Sequence, residues 1–169
     1  MLRGIGCLLI LCGTCFLAGT AVKKGKQRVV MLRDLIDGLE KLGRELSFRL
    51  TPLPELLRMI GRELEGPVGT FFLNCGVAVT KGDAPMREIW EKEGQTLQGY
   101  LSEQPLDVFL RIGRFLGRSD WQEESAYLVA AVHQLKEILK EEQTELSRRG
   151  QLYRTLGPAA GGILILLLL

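Results

Sequence analysis

The sequence predicts an all-α protein, a bundle of about six helices between an N-terminal and a C-terminal membrane segment. Apolar residues recur at three- and four-residue spacing through the interior of the chain, which is typical of amphipathic helices. No alternating run is long enough to form a sheet. Uncharged, apolar runs lie near both ends of the chain, at Gly4 to Val22 and at residues 155–169. These observations divide the chain into an N-terminal segment 1–22, a helical domain 23–154 and a C-terminal segment 155–169.

The two apolar ends differ in length. Gly4 to Val22 would span ~28 Å as a helix, at 1.5 Å per residue, close to the ~30 Å hydrocarbon core of a bilayer. Residues 155–169 reach only about 22 Å and would have to thin the bilayer or enter it partway. We expect two membrane segments. A cleaved signal peptide is the alternative for the first, because Arg3 provides a basic start and Gly19–Ala21 offers small residues at a cleavage site.

Basic residues flank both apolar ends on the interior side. They are Lys23, Lys24, Lys26, Arg28, Arg148, Arg149 and Arg154. The positive-inside rule therefore places residues 23–154 in the cytoplasm.

The first interior helix is predicted from Val29 to Phe48, where leucine and isoleucine recur at helical spacing. The stretch Thr51-Pro52-Leu53-Pro54-Glu55 then stops and restarts the chain. Thr51 suits an N-cap and Pro52 suits the first helical position. The second helix carries a leucine-rich face and ends before Gly66-Pro67.

Four further helices follow at short intervals. A third has apolar residues from Val68 to Val79, and a fourth from Met86 to Leu97. Pro105 can open a fifth, whose predicted core face contains Leu106, Phe109, Leu110, Gly113 and Leu116. The sixth starts at Asp120 and meets no helix breaker before Gly150.

The stretch Leu116-Gly117-Arg118-Ser119-Asp120 separates the fifth and sixth helices. Gly117 suits the left-handed position that ends a helix. Ser119 and Gln122 have the Ser-x-x-Gln spacing of a capping box, and Asp120 adds negative charge where the helix dipole favours it. Arg118 has no such local role.

Arg118 continues a series with Arg111 and Arg114, three and seven residues apart. On one helix these three arginines, called the basic ridge below, would lie beside the apolar face. Such charges usually form a solvated surface. The functional alternative is a docking site for an acidic partner, since arginine is favoured at interfaces.

Candidates for catalysis are few. His133 is the single histidine and has no nucleophile or metal ligand at a recognised spacing. Cys12 and Cys15 form a Cys-x-x-Cys pattern, but their apolar surroundings would raise the thiol pKa. The chain lacks a Gly-x-x-x-x-Gly-Lys phosphate loop. With 22 basic and 20 acidic residues, the chain also lacks the large net positive charge that is typical of nucleic-acid-binding proteins. We expect no enzyme, cofactor, metal or small-molecule substrate.

The order of these motifs along the chain resembles that of a known protein family. Glu45 precedes Thr51-Pro52-Leu53-Pro54-Glu55, and Gly82 leads to Trp90. Leu116-Gly117-Arg118-Ser119-Asp120 follows, and then a charged helix and a hydrophobic tail. In this order, over essentially the whole length, the chain resembles the stage III sporulation protein AB family of endospore-forming Firmicutes.

The resemblance implies a helical domain similar to the cytoplasmic domain of type II secretion F proteins. It also implies a place in the channel complex between mother cell and forespore, in the mother-cell membrane around the forespore. The implied partners are a secretion-type ATPase and other membrane subunits of that complex.

Three functional hypotheses follow. The first is a non-enzymatic membrane platform with a cytoplasmic domain. The second is a signal-cleaved, tail-anchored binding module outside the cytoplasm. The third is a membrane thiol oxidoreductase that uses Cys12 and Cys15.

Overall fold

The structure is a computed structural model. It describes the backbone of residues 2–48, 51–82, 84–117 and 121–168, and the side chains of 23–47, 51–82, 84–117 and 123–148. Across these ranges it contains six α-helices: α1 (Leu2–Phe48), α2 (Leu53–Glu63), α3 (Gly66–Lys81), α4 (Met86–Gly94), α5 (Glu103–Ile112) and α6 (Trp121–Leu168). A short 3-10 helix, Gln95–Gly99, follows α4. The predicted all-α class with six helices is confirmed.

The first and last helices are much longer than the others. The backbone of α1 runs without interruption from the N-terminal apolar run to Phe48, and α6 continues into the C-terminal run. The predicted membrane segments, 1–22 and 155–169, lie outside the residues whose side chains are described. Within the described residues, no helix combines the length and the apolar character needed to cross a membrane.

The chain divides into two compact units. Val30–Lys140 forms one, called the core unit below, and contains every buried hydrophobic side chain of the described residues. Met1–Val29 and Glu141–Leu169 form the other. Within that second unit Gly25 lies against Leu146, whose Cδ1 is 2.6 Å from where a Cβ of residue 25 would stand.

The predicted helix faces supply the hydrophobic core. Each α-helix of the core unit contributes buried side chains at helical spacing. They include Leu32, Leu35, Leu39 and Leu42 of α1, Leu56, Leu57 and Ile60 of α2, Val68, Phe71, Phe72 and Cys75 of α3, Ile89 and Trp90 of α4, Leu106 and Phe109 of α5, and Leu128, Val132 and Leu135 of α6.

Glycines bring α2 and α3 close together. A Cβ at Gly69 would stand 2.0 Å from the Leu64 carbonyl oxygen. A Cβ at Gly61 would stand 2.6 Å from the Leu73 nitrogen, and one at Gly76 would stand 2.8 Å from the Pro54 carbonyl oxygen. These contacts are with backbone atoms, so the two helices pack more closely than larger side chains would allow.

An aromatic cluster links α3, α4 and α5. The Phe71 ring contacts Trp90 and Phe109 with centroid distances of 4.8 and 4.9 Å. The fully buried Trp90 donates its indole N–H to the Phe109 carbonyl oxygen at 3.0 Å. This carbonyl belongs to the last turn of α5, where helix carbonyls lack intrahelical donors. The indole therefore provides a hydrogen-bond donor for a carbonyl at the end of α5.

Two predicted helix starts are wrong. The N-cap before α2 is Pro52, not Thr51, and Leu53 is the first helical residue. Pro52 has an extended ψ of 138°, and its carbonyl accepts the N–H of Glu55 and of Leu56 at 3.0 Å. Pro54 lies in the first turn, where its missing N–H costs nothing. The N-cap of α5 is Ser102, so Pro105 lies inside the first turn instead of opening the helix.

Candidate docking surface

Arg111 lies in the last turn of α5 and is exposed. Its Nη2 donates to Asp107 Oδ2 at 2.6 Å, one helical turn earlier. The two side chains are 57% and 60% exposed, so solvent screens this pair and it contributes roughly 0.3–0.5 kcal/mol. The charge of Arg111 is thus offset by a neighbour on its own helix.

Arg114 lies beyond the end of α5. The helix ends at Ile112, and Gly113 to Gly117 form a series of tight turns. In these turns the Arg114 N–H donates to the Arg111 carbonyl at 3.1 Å. Bonds between residues three apart tighten the end of a helix, because four carbonyls there lack α-helical donors.

The basic ridge is therefore not the single-helix feature that the spacing predicts. Arg111 is helical and Arg114 lies in the turns, while Arg118 lies outside the described residues. The structure brings Arg111 and Arg114 to the same end of α5, on exposed positions. Docking of an acidic partner at these arginines stays a prediction.

Gly117 ends the turns with a φ of 82°, in the left-handed region that favours glycine. Of the proposed capping residues, Ser119 and Asp120 fall outside the described residues, as does the side chain of Gln122. The capping box is therefore still a prediction.

A hydrogen bond that was not predicted from the sequence holds this turn in place. The Gly117 N–H donates to Glu124 Oε1 at 2.8 Å, from the turn to the first part of α6. Glu124 is 8% exposed and is the one buried charged residue within the described side chains. Burial raises the pKa of its carboxyl, and the hydrogen bond from Gly117 opposes that shift. Glu123 and Glu124 lie side by side in the first turn of α6. Glu124 is buried and Glu123 is exposed, and the helical repeat could have predicted this, because Glu124 lies four residues before the core residue Leu128.

Within the described side chains, Cys75 and His133 have no reactive arrangement. Cys75 is fully buried in α3, and burial, followed by the nearby Glu93 carboxylate, raises the pKa of its thiol. A protonated thiol is a poor nucleophile. His133 is exposed on α6. No group of three or more His, Cys, Asp or Glu side chains suited to a metal ion occurs within the described ranges. Cys12 and Cys15 lie outside the described side chains.

Comparisons with known proteins agree with the fold. A solved structure of stage III sporulation protein AB superposes with a TM-score of 0.67 at 22% sequence identity, covering 72% of this chain and 97% of that one. The curated stage III sporulation protein AB of Bacillus subtilis (strain 168) is 25% identical over 171 residues, with 100% of both chains covered. The family model described as stage III sporulation protein AB matches residues 3–169. The chain therefore belongs to the stage III sporulation protein AB family.

Proposed function

We propose that this sporulation protein is a non-enzymatic membrane platform in the channel complex between mother cell and forespore. It would couple a cytoplasmic secretion-type ATPase to the membrane subunits of the complex. The observation that carries the proposal is the continuity of α1 and α6. Both helices contribute to the core unit, and each continues into an uncharged, apolar end of the chain.

Continuous helices suit this role because they can join a packed domain to the bilayer without a flexible linker. The apolar ends would anchor the chain in the mother-cell membrane, with residues 23–154 in the cytoplasm as their basic flanks indicate. Burial of Cys75 and the raised pKa of its thiol argue against this cysteine as a nucleophile.

Accessibility labelling tests the topology. Tyr100 is 49% exposed in the core unit, so Tyr100→Cys introduces a reactive thiol there. Cys7, Cys12 and Cys15 are replaced by serine, while Cys75 stays because its thiol is buried. We expect a membrane-impermeant maleimide to label the protein only after the cells are permeabilised. Labelling of intact cells, or a mature chain beginning near Val22 by N-terminal sequencing, would contradict the proposal and favour the secreted, tail-anchored module.

The basic ridge is the surface that we propose for an acidic partner such as the ATPase. Replacing Arg111, Arg114 and Arg118 together by glutamate should reduce co-purification of the complex at least tenfold, because the ridge would then repel that partner. A matched control has the same three charge reversals at Lys81, Arg87 and Lys92, which are exposed on α3 and α4. Equal association of both triple variants would show that the ridge has no role in docking.

A further inference from the structure

A groove of about 370 Å³ runs along the core unit between α1 and α6. Residues between Leu39 and Ser47 line its α1 side, and residues between Leu128 and Lys136 line its α6 side. Each side is about 12 Å long at 1.5 Å per residue, or roughly two helical turns. The length of the groove therefore matches about two turns of a helix laid along it.

The floor of the groove is aliphatic. Leu39 and Leu128 are at most 1% exposed, and Val132 is 8% exposed. Gly43 lets Leu128 pack close to α1, because an added Cβ would stand only 3.2 Å from Leu128 Cδ2, so the two helices meet at the floor of the groove. At the edge, Val129 is 67% exposed, the highest value among the exposed large hydrophobic residues of the described chain.

The rim of the groove has an excess of positive charge. Glu40 accepts from Lys136 Nζ at 2.5 Å and lies 4.0 Å from Arg44 Nη1. One carboxylate thus faces two cations, and the Arg44 side chain is 63% exposed. His133 lines the same rim, and the Ser47 hydroxyl donates to the Gly43 carbonyl at 2.8 Å. Among the lining residues the rim therefore has two cations and one carboxylate, which leaves an excess of one positive charge for a ligand.

We infer that this groove docks an acidic amphipathic helix of a partner protein. Aliphatic side chains at i, i+3 or i+4, and i+7 would pack on the floor, as in other helix-in-groove complexes. Carboxylates beside them would pair with Arg44 and Lys136, and a basic helix would be repelled. The inference deepens the proposed platform function and rests on it for the existence of a protein partner.

Photo-crosslinking in the full chain tests the docking site. A photoreactive amino acid replaces Val129 in the protein of sporulating cells, and the crosslinked peptide is sequenced by mass spectrometry. The matched control position is Val77, a 45%-exposed valine on α3. We expect position 129, and not position 77, to capture a peptide of another protein with aliphatic residues at helical spacing and an excess of Asp and Glu. Arg44→Glu should lower the crosslinking yield at position 129 at least tenfold. Arg44→Lys, which keeps the positive charge, should retain most of that yield.

Several results would overturn the inference: crosslinks to a second copy of the chain, crosslinks to lipid, equal yield at the two positions, no crosslink, or a basic peptide. Thermal unfolding of Arg44→Glu and Arg44→Lys shows whether a lost crosslink reflects lost folding.

Co-purification distinguishes a failure of the docking site from a failure of the platform function. If the membrane subunits co-purify with the unaltered chain but position 129 captures no acidic helix, the docking site is wrong and the platform stands. If they fail to co-purify with the unaltered chain, the platform itself is wrong.

Discussion

Glu124 joins the turn that carries Arg114 to the start of α6. Its carboxylate accepts the Gly117 N–H at 2.8 Å, and this N–H lies at the one residue of the turn with a positive φ. Such a bond contributes only about 1 kcal/mol net, but a buried polar group left unpaired costs more. The bond thus stabilises the left-handed turn and with it the position of the preceding arginine.

Burial gives Glu124 a distinct pH dependence. Because desolvation raises the pKa of the folded carboxyl above the ordinary value of 4.5, the folded state binds the proton more tightly than the unfolded state. The contribution of Glu124 to the free energy of unfolding is therefore largest below that ordinary value. It is lost as the pH rises through the raised pKa.

Glu124→Gln should remove this dependence. The amide keeps an acceptor oxygen for Gly117 but carries no charge, so at neutral pH the variant should be at least as stable as the unaltered chain. Urea unfolding between about pH 4 and pH 7 measures the free energy of unfolding of both proteins. The value for the variant should increase relative to that of the unaltered chain as pH rises. Glu123→Gln, at the exposed neighbour, is the control and should show no such trend. A difference that moves toward the unaltered chain would contradict the burial argument.

Single residues differed in how far the sequence could predict them. The left-handed conformation of Gly117 is a local preference of glycine and can be read from the chain. The inward position of Glu124 follows from the helical repeat, because Glu124 lies four residues before Leu128. The bond to Gly117 could not be predicted, because it depends on how the turn packs against α6. Thr51 was a reasonable cap by residue type, yet the fixed φ of Pro52 and its extended ψ made Pro52 the cap.

At the scale of helices, periodicity predicted the buried faces well because burial follows the 3.6-residue repeat. It failed at the end of α5, where the repeat continues in sequence but the helix stops at Ile112. Gly113 lies against Trp90 there, and a Cβ would stand 2.7 Å from the Trp90 side chain. The close approach of α2 and α3 also escaped prediction, because glycines in a helix are usually seen only as weak helix formers.

Gly69→Ala tests that close approach. The new Cβ would overlap the Leu64 carbonyl, and backbone atoms cannot yield as a flexible side chain does. We expect the free energy of unfolding, measured with urea, to fall by an amount near the upper end of roughly 1–3 kcal/mol. Gly99→Ala is the control, because nothing lies within 4 Å of its Cβ position. It should cause no loss and could gain up to about 1 kcal/mol by restricting the unfolded chain. Equal effects would mean that α2 and α3 separate at little cost.

At the scale of the molecule, the core unit holds all the buried hydrophobic side chains of the described residues. The sequence predicted a helix from Val29, and the first buried leucine is Leu32. It did not predict the other limit of the core, because the sixth helix continues well beyond Ile138, the last buried hydrophobic side chain of the described residues. Charge marks exposure, whereas the limit of the core depends on which helical turns meet a neighbour.

The fragment Val30–Lys140 should therefore fold without the rest of the chain. Its core is complete, including the aromatic cluster around Trp90, and it loses none of the buried side chains of the described residues. We expect a helical circular-dichroism spectrum, a cooperative thermal transition and a radius of gyration of roughly 13 Å by solution scattering, as for a folded domain of about this size. An unfolded chain of similar length would give about 30 Å. Trp90→Ala in the same fragment is the matched control and should abolish the cooperative transition or lower stability by about 3–5 kcal/mol. A fragment that melts without cooperativity would show that Met1–Val29 and Glu141–Leu169 are needed to fold the core, and that the platform domain and its anchors are one folding unit.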